Sequence, residues 1–335
     1  MPKMANIQGL KFSIIIPVKE INDYLRETID HLQRIASDDW ELIIVPNDPS
    51  ANEWSDGRIK FVASGRVGPA AKRDLAAEFA LGLILVFLDD DSYPDENFLS
   101  NAHKYFSDEI VTAIGGPGIT PPHDSFWQKV SGAVFLSKYS GGAPERYISR
   151  GASHYVDDWP SVNLMVLKKD FVKVGGFKSP YWPGEDTKLC LDLITTDEKK
   201  KIVYAPDVIV WHHRRAGIYQ HLKQIGAYGL HRGYFVKRYP NNSRKITYFI
   251  PSAFLVFLLF SVIVVVFQWS IFLVLVLVGW LCYFLAMVRA LIDIRQYHGY
   301  LVAVASLPYI FLTHVWYGAK FIQGILTRNL KSKLR

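Results

Sequence analysis

Residues 246–288 form a run of 43 positions without one charged side chain. A single helix of that length would reach about 65 Å, twice the hydrocarbon thickness of a bilayer. Gln268-Trp269-Ser270 divides the run into two pieces of spanning length. The sequence therefore predicts two transmembrane helices, residues 247–267 and 271–288, joined by a tight turn within a 246–290 hairpin. The competing reading is a helical hairpin buried in a soluble core. A third apolar segment, residues 300–327, carries Pro308, His314 and several aromatics and is apolar up to Lys320; it either spans or lies in the interface. Residues 328–335 are a basic tail.

The net charge of +7 is unevenly spread. Residues 1–246 hold 31 Lys and Arg against 30 Asp and Glu, whereas the remainder holds 7 basic residues and one acid, Asp293. No acid occurs between Asp207 and Asp293, where Arg214, Arg215, Lys223, Arg232, Lys237, Arg238, Arg244 and Lys245 fall. A basic stretch can mark nucleic acid. This one runs straight into the apolar segments, so membrane lipids are the expected partner and nucleic acid is not. The basic belt before residue 246, with Arg289 and Arg295 after the hairpin, predicts a multi-pass protein of the cell membrane with its N-terminal domain in the cytoplasm. The opening MPKMANIQGL has no apolar core of a signal peptide, so none is expected. Cys190 and Cys282 suggest neither a disulfide framework nor a metal site.

The region before residue 240 alternates. FSIIIP, ELIIVP, RIKFVAS and the apolar residues 83–88 read as strands, and Leu25, Ile29, Leu32 and Ile35 recur at helical spacing. Gly68-Pro69 opens a helix bearing Leu75 and Phe79. Such alternation implies an α/β domain around a mostly parallel sheet, with ligands at the carboxyl ends of the strands. Those ends carry Lys19-Glu20, Asn47-Asp48 and Asp89-Asp90-Asp91. No GxGxxG follows the first strand and no GxxxxGK[ST] occurs, which disfavours the two commonest nucleotide folds. Further on, residues 126–139 read as a helix. SVNLMVLKKDFVKVGGF reads as a strand, a short helix and a Gly-Gly turn; a helix starts near Glu185, and KIVYAPDVIVWHHRR is strand-like. Residues 219–239 predict a basic, aromatic, amphipathic helix suited to the membrane surface.

The acid triplet ends a strand buried on both faces. Like charges beside an apolar wall are costly unless a cation joins them. The triplet is therefore either a solvated turn capping a helix near Asp95 or a divalent-cation site.

The order of IIIPVKE (14–20), ELIIVPND (41–48), GPAAKRD (68–74), FLDDDS (87–92), NLMVLKKDFVKVGGF (163–177), WPGED (182–186) and WHHRR (211–215) resembles the family 2 glycosyltransferases. The resemblance covers about residues 12–239. It implies a GT-A fold, Rossmann-like with a mostly parallel sheet, as a 1–240 catalytic domain followed by C-terminal transmembrane helices. It implies that Asp89 and Asp91 correspond to the DxD motif, with Asp89 and Asp90 at the sugar or ribose and Asp91 on Mg²⁺ or Mn²⁺. Hard cations of that kind favour carboxylate and phosphate oxygens. Pro17, Glu20 and Asp48 would hold base and ribose, and Lys72 and Arg73 the donor's phosphates. His212 or His213 would be a further metal ligand, phosphate contact or structural strand-end residue. Asp186 would be the base that deprotonates an acceptor hydroxyl, with Glu185 and Trp182 orienting the acceptor. The chain departs from the family in having Asn47-Asp48 for Asp-Asp, Lys72-Arg73 for Arg-Asn, and no Gln-x-x-Arg-Trp of processive synthases.

The resemblance thus implies inverting, non-processive, metal-dependent transfer from a nucleoside-diphosphate sugar, UDP-sugar favoured, to a hydroxyl of a lipid-linked or membrane-proximal glycan. Rivals are a polyprenyl-phosphate sugar synthase, whose phosphate acceptor needs no strong base, a membrane nucleotidyltransferase that would release pyrophosphate, and a non-catalytic scaffold.

Overall fold

The computed structural model describes residues 11–49 and 53–332. The MPKMANIQGL segment and the tail residues Lys333 and Arg335 lie outside them. The described residues divide into two compact units. One is built from residues up to Pro121, Ile148–His213, and Lys331 and Ser332; the other from Pro122–Tyr147 and Arg214–Leu330.

The first unit is organised by an eight-stranded sheet. Its strands are β1 (Phe12–Pro17), β2 (Trp40–Val45), β3 (Ile59–Phe61), β4 (Ile84–Leu88), β6 (Val111–Gly115), β8 (His154–Val156), β9 (Asn163–Leu167) and β10 (Lys201–Tyr204), in the order β3-β2-β1-β4-β9-β6-β10-β8. β1 to β4 pair in parallel, as do β6 and β10. β9 inserts antiparallel between β4 and β6, and β8 closes the far edge antiparallel. The continuous apolar strands are explained by burial on both faces. Phe12, Ile14 and Ile16 of β1 face one way, against Leu25, Ile29 and Leu32 of α1 (Asp23–Arg34). Ile15 faces the other way. It joins Ala70, Ala76 and Ala77 of α2 (Pro69–Phe79), Phe171 of α5 (Lys168–Val174) and Leu189 and Leu193 of α6 (Glu185–Thr196). Each fully buried Leu or Ile contributes about 1.5–3 kcal/mol.

A second sheet of three short strands was not legible in the sequence. β5 (Ser92–Pro94) and β7 (Gly118–Ile119) flank β11 (Val210–His212), antiparallel and parallel respectively. KIVYAPDVIVWHHRR therefore makes two strands in different sheets. Pro206 lacks the N–H that a ladder needs, and a turn with Val208 N donating to Ala205 O redirects the chain. Between β5 and β6 lies α3 (Phe98–Tyr105), the helix expected after Asp95.

The second unit is helical. α4 (Phe126–Ala133) starts on a capping box of Ser125 and Gln128. It stops six residues before the expected Tyr139, giving way to turns in which Ser137 O accepts from Ser140, Gly141 and Gly142. α7 (Ile218–Arg238) and the short α8 (Pro240–Ser243) precede α9 (Ile246–Val266) and α10 (Leu273–Leu326). Gly299, at φ 75° and ψ 178°, breaks α10 into residues 273–298 and 300–326. The first part continues ten residues past Val288, because the charges that follow are satisfied along the helix. Arg289 pairs with Asp293 at 2.9 Å, and Asp293 accepts from Ser137 Oγ at 2.8 Å.

α9 and α10 are long and apolar enough to cross a membrane. On either side of the turn at Gln268 they leave Val262, Val265, Ile271, Val274 and Leu277 exposed. Residues 300–326 differ, since Val302, Ala303, Tyr309, Ile310, Thr313, Gly318 and Phe321 are buried.

Candidate nucleotide-sugar site

All three acids after β4 are held by named partners. Asp89 Oδ1 accepts from Arg73 Nη2 at 2.7 Å, and Asp90 Oδ2 accepts from Asn22 Nδ2 at 2.8 Å. Asn22 caps α1 by accepting from Leu25 N, so the cap residue and the acid loop are one unit. Asp91 is buried, with Oδ1 3.3 Å from His212 Nε2. The small sheet makes that contact, because β11 pairs with β5 with His212 opposite Ser92, and His213 N donates to Asp91 O. His213 turns away, its Nε2 2.9 Å from Glu27 Oε2 and its ring stacked on Tyr24. Of the two histidines, His212 is therefore the one placed with the acids.

This donor set fits a divalent cation. Adjacent ligands around a six-coordinate cation of this size lie about 3 Å apart, close to the Asp91–His212 separation. The carboxylate supplies the hard oxygen that Mg²⁺ and Mn²⁺ prefer.

Lys72 and Arg73, in the first turns of α2, point into the protein rather than into solvent. Lys72 Nζ donates to Val18 O at 2.6 Å, Val45 O at 3.0 Å and Asn47 Oδ1 at 2.8 Å, matching the three N–H of an ammonium. Burial pulls its pKa down to about 8, opposed by Asp48 and Asp90. It braces the carboxyl ends of β1 and β2, the neighbourhood of the predicted Pro17, Glu20 and Asp48. Pro17 is buried in the last position of β1, whereas Glu20 and Asp48 are exposed on the turns beyond. Arg73 is 2 % exposed and forks between two acids: Nη2 to Asp89, Nη1 to Glu185 Oε1 at 2.8 Å. The planar guanidinium presents a separate NH2 group to each carboxylate. It joins the strand-end triplet to the WPGED segment, whose Glu185 lies 112 residues after Arg73.

The WPGED segment reaches its position through Gly184, whose φ of 108° lies in the left-handed region that favours glycine. α6 begins at once with Glu185 and Asp186, which point in different directions. Glu185 is buried against Arg73. Burial and the neighbouring Asp186 raise its carboxyl, and Arg73 opposes them. Asp186 is half-buried, with Oδ2 accepting from Ser161 N at 3.2 Å and Oδ1 from Thr187 N at 2.8 Å. Trp182 is also half-buried, and its amide donates to Ser332 Oγ at 2.9 Å.

The glycosyl transferase family 2 model matches residues 13–171. The chain carries a family 2 glycosyltransferase domain. Two curated relatives, pre-mycofactocin glycosyltransferases of Mycobacterium tuberculosis strains CDC 1551 / Oshkosh and ATCC 25618 / H37Rv, are each 23% identical over 245 residues. That alignment covers 70% of this chain and 49% of each relative, so the chain spans about half the length of the curated relatives it matches. Among solved structures, the mannosyltransferase PcManGT from Pyrobaculum calidifontis, in complex with GDP-Man and Mn²⁺, superposes with a TM-score of 0.53 at 16% identity. The match covers 94% of this chain and 87% of that one, and shares the fold.

Two residues that hold this glycosyltransferase domain's site together escaped the sequence reading. Asn22 is legible as a helix cap, but its bond to Asp90 crosses 68 residues. Asp74 accepts from Phe177 N at 2.7 Å and Lys178 N at 3.0 Å, locking the KRD segment onto the Gly-Gly-Phe turn. Gly176 has φ +77°, and a Cβ there would lie 2.5 Å from Asp74 Oδ1.

Proposed function

We propose that this chain transfers a sugar, with inversion and one residue at a time, from a nucleoside-diphosphate sugar to a hydroxyl of a lipid-linked or membrane-proximal glycan. The observation that carries the reading is the pairing of two acid groups through Arg73: the Asp89–Asp91 triplet with His212, and Glu185-Asp186. In this reading Asp91 and His212 hold Mg²⁺ or Mn²⁺. Asp89 and Asp90 contact the sugar or ribose, and Pro17, Glu20 and Asp48 line the base side, shaped by Lys72. The bound cation neutralises charge on the leaving diphosphate. The PcManGT complex with GDP-Man and Mn²⁺ supports a nucleotide-sugar donor and a divalent metal, and leaves the base open between guanine and the uracil that the family resemblance favours.

Asp186 is the acceptor base in this account, with Glu185 and Trp182 orienting the acceptor. A base must first reach its proton. Glu185 is buried on Arg73, whereas Asp186 is half-buried, with the Ser161 and Thr187 amides donating to its oxygens. The two C-terminal apolar helices would keep the domain beside a membrane-embedded acceptor.

The test is transfer of labelled sugar from GDP- and UDP-sugars into lipid-extractable and polymeric products of membranes containing the full chain. A glycoside stable to mild acid, of anomeric configuration opposite to the donor's, is expected. An acid-labile glycosyl phosphate would instead assign the polyprenyl-phosphate reaction, and pyrophosphate release a nucleotidyltransferase.

A further inference from the structure

α7 and residues 300–326 pack side by side and in the same direction. His221 Nε2 is 2.8 Å from Thr313 Oγ1, a Cβ on Gly226 would strike Trp316, and one on Gly233 would strike Phe321 O at 2.1 Å. Lys237 Nζ donates to Thr327 O at 2.8 Å. The partners advance together from 221 and 313 to 237 and 327, so the two helices are parallel.

Both ends of this pair are tied by the chain to the first unit. Four residues separate His213 of that unit from Ile218 at the start of α7. At the other end, Thr327 lies five residues before Ser332, whose Oγ accepts from the Trp182 amide at 2.9 Å. Five residues reach at most about 18 Å, against a hydrocarbon core of about 30 Å. If α7 crossed, its far end and Thr327 would lie beyond the reach of Trp182.

Resting on the membrane reading of α9 and α10, we infer that α7 and the 300–326 helix do not cross the bilayer. They lie as a parallel pair in the headgroup layer, on the side that holds the first unit. The chain crosses only twice, through α9 and residues 273–298. The partner of the pair is an anionic phospholipid surface. Lys223, Lys237 and Arg238 are exposed on α7, and no acid occurs between Asp207 and Asp293 to oppose them. Tyr219, Tyr300 and Trp316 are exposed too, residue types that favour the interface. Arg232, well inside α7, sits on the Tyr248 ring at 4.6 Å. In a spanning helix it would cost about 2.5–3.5 kcal/mol near the centre. The third apolar segment, open between spanning and interfacial in the sequence, takes the interfacial place.

The experiment uses the full chain in sealed vesicles of both orientations, with a membrane-impermeant maleimide. Exposed positions are Val172→Cys in the first unit, Ile271→Cys at the hairpin turn and Asn329→Cys after the last helix. The unmodified chain is the control, since Cys190 is buried and Cys282 lies within the apolar helix. The inference expects Asn329→Cys and Val172→Cys to react from one side and Ile271→Cys from the other. Reaction of Asn329→Cys with Ile271→Cys would overturn it. Reaction of all three from one side would remove the two crossings and the membrane reading with them. A C-terminal epitope on the otherwise native chain gives a second readout. It should be lost whenever protease digests the first unit in sealed vesicles; its protection there would overturn the inference.

Discussion

Two acid clusters meet at Arg73, and their surroundings differ. The strand-end triplet is compensated by side chains: Arg73 on Asp89, Asn22 on Asp90, His212 beside Asp91. The helix-start pair is divided, with Glu185 buried on the same arginine and Asp186 held by backbone amides. Three carboxylates in sequence concentrate negative charge that a divalent cation would offset. A single half-buried carboxylate leaves a proton acceptor. Two clusters of one residue type thus suit two tasks, because their neighbours differ.

Breaking the triplet should have the largest effect. Asp91→Ala is expected to abolish transfer, and excess chelator should silence the unmodified chain; full activity under chelation would dissolve the distinction between the clusters. Asp186→Asn is expected to lower transfer by about two to four orders of magnitude while leaving donor affinity, measured by calorimetry, within a few-fold. Loss of donor binding in that variant would move Asp186 into the nucleotide site.

The link between the clusters comes next. Arg73→Met leaves two carboxylates without their shared cation. It is expected to cost about 3–5 kcal/mol of stability by denaturant titration of the full chain in detergent, most of it from the buried Glu185. A cost below 1 kcal/mol would mean that the fork does not hold the site together. The smallest effect is expected from Gly176→Ala. Its left-handed φ and the 2.5 Å approach to Asp74 Oδ1 should cost about 1–3 kcal/mol, with the metal requirement unchanged.

The acid triplet, the GED segment and the strands up to β4 were legible because each is a local pattern: an apolar run, a turn, a helix start. The choice of His212 over His213 was not, since β11 pairs with β5 across more than a hundred residues. The inward course of Lys72 was hidden for the same reason: its acceptors lie on β1, β2 and the turn after β2. Hydropathy found all three apolar helices but could not separate those with exposed apolar faces from residues 300–326. What separates them is packing, through Gly226, Gly229 and Gly233 of α7, which let the backbones approach.

Nucleoside diphosphate release by the purified full chain, across a panel of nucleotide sugars with and without Mn²⁺ or Mg²⁺, tests the central claim without knowledge of the acceptor. The account predicts slow release from one donor, dependent on the cation and absent in Asp91→Ala. Release that persists in excess chelator, or that is unchanged by Asp91→Ala, would contradict it.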